Sequence, residues 1–155
     1  MDITLKKVEA NDKAIFESLF QLFAYDFSEL MGMYINDDGK YPELNDMEDY
    51  YSKPNYCTYF VKVEGKLAGI AVIRFDEESN YFRHFFVMRK YRRSGVGQNS
   101  VHMIFNLYPG KWRVSPFDFN KPAILFWKNV FDVYTDGNYI IQRRSDNKGP
   151  EFIFS

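Results

Sequence analysis

Apolar and polar positions change period several times along the chain. Between Asp2 and Val8, Ile3 and Leu5 alternate with Thr4 and Lys6, which predicts a first strand. Asn11 or Asp12 can cap a helix in which Ile15, Leu19, Leu22 and Phe23 recur at helical spacing. Phe16, Phe20 and Phe27 widen that stripe, and the pattern runs out near Leu30–Gly32. Met31 to Tyr56 is acidic and tyrosine-rich, with a turn at Asp37-Asp38-Gly39 and a short helix predicted from Pro42 through Tyr51. Cys57–Val63 and Leu67–Phe75 read as a hairpin turning at Glu64-Gly65-Lys66, the second strand apolar on both sides and therefore central.

Tyr81–Met88 is an aromatic and apolar strand interrupted by Arg83 and His84. A helix follows from Val96, with Val96, Val101, Ile104, Phe105 and Leu107 available for one face, and Tyr108-Pro109-Gly110 ends it. Lys111–Ser115 reads as a short strand, Pro116–Asn120 as a loop and Lys121–Val130 as a helix capped by Asn120. Phe131–Tyr134, Tyr139–Arg143 and Glu151–Phe154 are predicted strands. Helices and strands interleave in one α/β (α+β) order along the 155 residues, which predicts one domain over 1–155.

Composition narrows the function classes. An apolar content of 46% favours a packed core over disorder, and a net charge of −1 argues against a general nucleic-acid binder. The single cysteine, Cys57, allows no internal disulfide and reads as a packing residue, and no metal-ligand cluster is present in the sequence. No apolar run has transmembrane length and no signal-peptide pattern opens the chain, so a soluble cytoplasmic protein is expected.

The chemistry concentrates between Tyr81 and Asn106. Arg89, Lys90, Arg92 and Arg93 precede Gly95 and Gly97 at a strand-to-helix join. Helix N-termini carry orphan N–H groups and partial positive charge, and glycines let a ligand approach the backbone closely. A basic run beside such a terminus makes a phosphate cradle, and a diphosphate suits it best. The plainer alternative is a βα turn with its arginines in solvent. A nucleotide site of another kind ranks low, because neither Gly-x-x-x-x-Gly-Lys-Ser/Thr nor a full Gly-x-Gly-x-x-Gly is present.

Arg92-Arg93-Ser94-Gly95-Val96-Gly97 resembles the Arg/Gln-x-x-Gly-x-Gly/Ala signature of the GNAT superfamily of acyl-CoA-dependent N-acetyltransferases. Asn120-Lys121-Pro122-Ala123-Ile124-Leu125-Phe126-Trp127 is similar to that family's Asn-x-x-Ala-x-x-x-Tyr pattern in all but its last residue. The resemblance spans Ile3 to Phe154 and implies a mixed, mainly antiparallel sheet with helices on both faces. It also implies a bulge in the Tyr81–Met88 strand that splays this strand from its neighbour and admits the cofactor. Acetyl-CoA is then the cosubstrate, with Phe86, Val87, Arg92, Arg93, Gly95, Val96, Gly97, Gln98, Asn120, Ala123 and Trp127 around it. No metal is implied.

The acceptor would be a small-molecule or peptide amine, with no nucleic acid or membrane as partner. Oligomeric state stays open, a homodimer included. Many family members place an acidic base at the start of the strand that reads here as Tyr81–Met88, where this chain has Tyr81. His84 is an alternative base, or a half-buried ring with satisfied nitrogens. His102 reads as a surface or packing residue. The family's tyrosine, which often protonates the leaving thiolate, is replaced by Trp127, whose indole donates a hydrogen bond but is no acid at ordinary pH. Tyr134 lies close in sequence as a substitute phenol.

The segment after the first helix borders the acceptor site in this family, which makes Tyr25, Tyr34 and Tyr41 candidates for lining it. Asp37, Asp38, Glu43, Asp46, Glu48 and Asp49 either attract a cationic amine or form an ordinary solvated face, and the second reading is the commoner. Two functions remain: an N-acetyltransferase, and an acyl-CoA-binding sensor or partner module with weak or no turnover.

Overall fold

A computed structural model describes residues Met1–Ser155. The chain forms β1 (Ile3–Lys7), α1 (Lys13–Met31), α2 (Asp49–Ser52), β2 (Tyr56–Val63), β3 (Lys66–Phe75), β4 (Asn80–Val87), α3 (Val96–Leu107), β5 (Trp112–Val114), α4 (Lys121–Thr135), β6 (Ile140–Arg143) and β7 (Pro150–Phe154). The seven strands make one sheet in the order β1-β2-β3-β4-β5-β7-β6. Every pairing is antiparallel except β4 with β5. No helix is long and apolar enough to cross a membrane.

Helices cover both faces, as the resemblance implies. Phe82, Val101, Ile104, Phe105, Trp112, Trp127 and Phe131 build the core shared with α3 and α4. Phe16, Phe20, Tyr50, Phe60, Ile70, Val72 and Phe86 build the core under α1 and α2. Strand alternation assigns residues to these faces. In β4 the alternation breaks, because Val72 pairs with His84 while Ile73 pairs with Phe82. Arg83 is the extra residue of a β-bulge. Phe82 and Phe85 consequently face the α3/α4 core, while Phe86 faces the opposite one.

The bulge is followed by a splay. β4 pairs with β5 only at Asn80↔Trp112 and Tyr81↔Arg113. From Phe82 to Val87 the β5-side edge of β4 has no strand partner. The gap between the two strands is the feature that positions everything described below.

Two sequence expectations are corrected. Phe131–Tyr134 is the last part of α4 rather than a strand. Trp127, Val130 and Phe131 are all buried, so the helical stripe simply continues, and it stops at Asp136, whose φ is +53°. The helix expected from Pro42 is confined to Asp49–Ser52, with turns before it. Met47 and Tyr50 are nonetheless buried, so this segment is anchored through side chains more than through helical hydrogen bonds.

Candidate active site

A cleft of about 770 Å³ opens at the carboxyl end of β4, between α1, the start of α3 and the start of α4. Its first wall is the strand-to-helix join. Gly95 caps α3 with φ +86°, a conformation open to glycine at little cost, and no side chain caps the helix. The helical ladder begins with Asn99 N–H donating to the Gly95 carbonyl at 3.0 Å. The N–H groups of Val96, Gly97 and Gln98 therefore stand as the orphan donors of the first turn. Arg93 also has a left-handed backbone, with φ +61°, and its exposed side chain makes no ion pair. Two left-handed residues just before an uncapped helix curl the backbone into an anion-binding concavity.

The neighbouring cations are already engaged. Arg92 donates from Nε to the Val87 carbonyl at 2.8 Å and from Nη2 to Asp26 Oδ2 at 2.8 Å. Arg89 reaches the same carboxylate at 3.0 Å. Partial burial pushes the Asp26 pKa up, but hydrogen bonds and charge from Arg92 and Arg89 outweigh it and hold the carboxyl below its ordinary value. α1 is thereby tied to the basic loop.

The floor is β4. Met88 N–H donates to Ala68 of β3, so strand alternation turns the Val87 N–H the other way, into the gap. With its carbonyl taken by Arg92, Val87 presents a lone donor to the cleft. The far wall is α4, where the Asn120 side chain accepts from Ala123 N–H at 3.2 Å and Pro122 occupies the first turn. Phe126 stacks on Phe85 with centroids 5.7 Å apart, and its ring lies over Gly97, where an added Cβ would sit 2.8 Å from Cε1.

Trp127 is 7% exposed and packs against Phe82, Phe85 and Phe126. No group of the chain accepts from its indole N–H, and no buried polar side-chain atom is left unpaired, so this N–H faces open space.

Of the residues expected around the cofactor, Phe86, Val87, Arg92, Arg93, Gly95, Gly97, Gln98, Asn120, Ala123 and Trp127 all line the cleft. Val96 is fully buried beneath it and offers only its backbone. Sequence reading missed Asp26, Phe23, Phe27, Phe85 and Phe126. The first three belong to α1, whose facing partner a one-dimensional pattern does not name.

The catalytic candidates fall in three different places. His84 does not line the cleft. It stands edge-on to Phe20, Phe23 and Tyr50, behind the Phe23 wall. Tyr50 donates its hydroxyl proton to Asp46 Oδ1 at 2.7 Å, so His84 Nε2, 2.9 Å from the Tyr50 oxygen, must be the donor in that contact. Burial first, and the Arg83 charge second, drive the His84 pKa down to about 3 against the opposing pull of Asp46. The imidazole is neutral at pH 7.

Tyr81 lies at the amino end of β4, its ring between the guanidiniums of Arg74 (4.7 Å) and Arg113 (5.0 Å). Tyr134, the phenol considered as a substitute for the missing tyrosine, is outside the cleft and donates to Asn106 Oδ1 of α3 at 2.6 Å. Tyr25 and Tyr34 are exposed and Tyr41 hydrogen-bonds to Ser28 of α1, and none of the three lines the cleft.

Comparison with known proteins bears on the family and the fold. Residues 16–131 match the model of the acetyltransferase (GNAT) family. The uncharacterized protein YrkN of Bacillus subtilis (strain 168) is 31% identical over 98 residues, covering 60% of this chain and 52% of that protein. The chain thus spans about half the length of that curated relative. An acetyltransferase of Thermus thermophilus superposes with a TM-score of 0.77 over 99% of this chain and 97% of its own, at 13% identity. A candidate streptothricin acetyltransferase of Bacillus anthracis (strain Ames), solved with acetyl coenzyme A, gives 0.63 over 99% and 98%, at 15% identity. At such identities the two structures speak for the fold, whereas the family match covers most of the chain: this protein belongs to the GNAT family of acetyltransferases.

Proposed function

We propose that this protein transfers the acetyl group of acetyl-CoA to an amine by direct attack. The observation that carries the proposal is the uncapped first turn of α3 beside unpaired Arg93, facing a gap where β4 has lost its neighbour. Orphan N–H groups and a free guanidinium suit a diphosphate. The splayed strands leave room for an extended arm running past Asn120 and Ala123 toward Val87. The acetyl-CoA present in the Bacillus anthracis structure supports the same cosubstrate here.

In this mechanism the amine nitrogen forms the new C–N bond as the C–S bond breaks. The Val87 N–H is placed to stabilise the charge developing on the carbonyl oxygen. Trp127 can steady the leaving sulfur through its indole N–H but cannot protonate it. The amine attacks in its neutral form, having lost one proton to solvent; its nitrogen becomes cationic as the C–N bond forms, and the proton it then sheds, or one from solvent, goes to the thiolate. His84, depressed to about pH 3, is a poor store of protons. Its place is in the Asp46–Tyr50–His84 hydrogen-bonded chain behind the wall. Tyr81 belongs to the acceptor side rather than to proton transfer.

One observation favours a second reading. A buried indole in place of a phenol is what a domain retaining acyl-CoA binding with little turnover would show. Calorimetric titration with acetyl-CoA, and separately with CoA lacking its 3′-phosphate, tests the shared part. Binding near micromolar, about −8 kcal/mol, is expected. It should be lost in Arg93→Glu, an exposed position where the core is undisturbed. Absence of binding overturns both readings. Thiol release over an amine panel then separates them: turnover establishes the transferase, and tight binding without turnover establishes the sensor.

A further inference from the structure

A second cavity, of about 390 Å³, lies at the other end of β4 and has a different chemistry. Four arginines line it, Arg74, Arg83, Arg113 and Arg144, against three carboxylates, Asp46, Asp146 and Glu151, while Asp76 pairs with Arg74 and Arg113 from beside it, so formal charges balance and only the count of free hydrogen-bond donors is in excess. Arg74, Tyr81 and Arg113 are register partners on three adjacent strands, so they present one face together. Arg83 joins them because it is the bulge residue.

The hydrogen bonds are unequally distributed. Asp46 accepts from Tyr50, Tyr56 and Arg83, and Glu151 accepts from Arg113, Ser115 and Gln142. Their lone pairs are largely spent. Arg83 touches Asp46 through Nε alone and keeps both Nη groups free, while Arg144, held through its Nη groups by Ser115 and Asp146, keeps Nε. The surplus is of donors in planar forks, the geometry that reads a carboxylate. An ammonium ion would find few open acceptors.

The cavity also sits at the start of the splay. Arg83 and Ser115 flank the gap just past the last β4–β5 pair, Tyr81↔Arg113. Along β4 from Arg83, Phe85 on the floor of the large cleft is two residues on and Val87 four, about 7 Å and about 13 Å at the usual strand rise.

Building on the transferase reading above, we propose that this cavity anchors the acceptor by a carboxylate, so that the preferred substrate is a linear ω-amino acid or a short peptide acetylated at its amino end. Arg83 is the specificity-determining residue. The carboxylate sits on its free Nη groups and the amine extends through the gap toward Val87. An α-amino acid, with its charges one carbon apart, is too short to reach both.

The test is thiol release from acetyl-CoA with a ladder of ω-amino acids from glycine to 6-aminohexanoate, each paired with its amide. Acids should exceed amides in kcat/KM by about tenfold, the worth of one charge-assisted contact, with the longer members best. Arg83→Gln should erase the preference while calorimetric affinity for acetyl-CoA is unchanged, and Arg83→Lys should restore it only in part. Amides equal to acids, or a preference that survives Arg83→Gln, would overturn the proposal while leaving the transferase reading intact. An aminoalkyl phosphonate that outperforms the carboxylate of equal length would overturn the carboxylate assignment in favour of a phosphate. Should no amine turn over, the Arg83 side-chain Nε–H resonance decides. A shift with 5-aminovalerate but not with its amide supports the anchor, and no shift with either removes it.

Discussion

The two ends of β4 handle positive charge differently. At the carboxyl end Arg89 and Arg92 share Asp26, but Arg93 and the first turn of α3 are left without partners, so a ligand finds some donors already free of internal acceptors. At the amino end, each arginine is committed to a carboxylate or a carbonyl, and a ligand meets only the remaining N–H groups. The first arrangement suits a ligand with several negative charges, whose binding supplies the missing neutralisation. The second suits one modest anion, recognised by shape. One strand, interrupted by one bulge, sets both environments.

The most severe disturbance of this contrast is Gly97→Glu. Bulk and negative charge enter the cradle together, and acetyl-CoA affinity should fall at least about a hundredfold, roughly 3 kcal/mol by calorimetry. Unchanged affinity would refute the cradle. Next comes a comparison of cations. Arg113 serves Ser79, Asp76 and Glu151 at once. Arg113→Gln should therefore cost about 1–3 kcal/mol in urea unfolding, whereas Arg93→Gln should cost almost nothing. Equal effects would mean that the paired and unpaired ends do not differ as described.

A smaller effect follows from His84. Its folded pKa is depressed to about 3 from an ordinary 6.5, so between those values the unfolded chain binds more protons than the folded one. Stability contributed by the neutral ring is complete above pH 6.5 and declines as pH falls toward 3, by up to about 1.4 kcal/mol per unit. Urea titrations at pH 7, 6 and 5 should show this slope, and His84→Gln should flatten it. The smallest change is expected from Asp26→Asn, which frees Arg89 and Arg92 to meet phosphates. Acetyl-CoA affinity should rise a few-fold at low salt and less at high salt. An affinity indifferent to this substitution would show that Asp26 does not compete with the ligand.

Much of this is legible in one dimension. The basic loop is contiguous, from Arg89 to Gly97, and its strand and helix flanks are strongly periodic, so its place in the cleft follows from local pattern. α4 reads too short in the sequence because Phe131–Tyr134 is aromatic and β-branched in type, and only packing against Phe105 and Phe152 settles it as helix. The arginine cavity cannot be assembled from sequence, since its members come from β3, β4, β5 and the β6–β7 connection. The one available sign is a polar residue inside each otherwise apolar strand, at Arg74, Arg83 and Arg113. His84 illustrates the limit differently. Its environment depends on which face the bulge turns it to, and a register shift of one residue leaves no mark on composition.

The contact between Gly97 and Phe126 has a further consequence. A side chain at position 97 is opposed from outside by any bound diphosphate and from inside by an aromatic ring of α4 only 2.8 Å from where its Cβ would lie. In this chain even an alanine at position 97 requires the Phe126 ring to shift on its stack with Phe85. The position therefore couples the seating of α4 to the loop that faces the ligand.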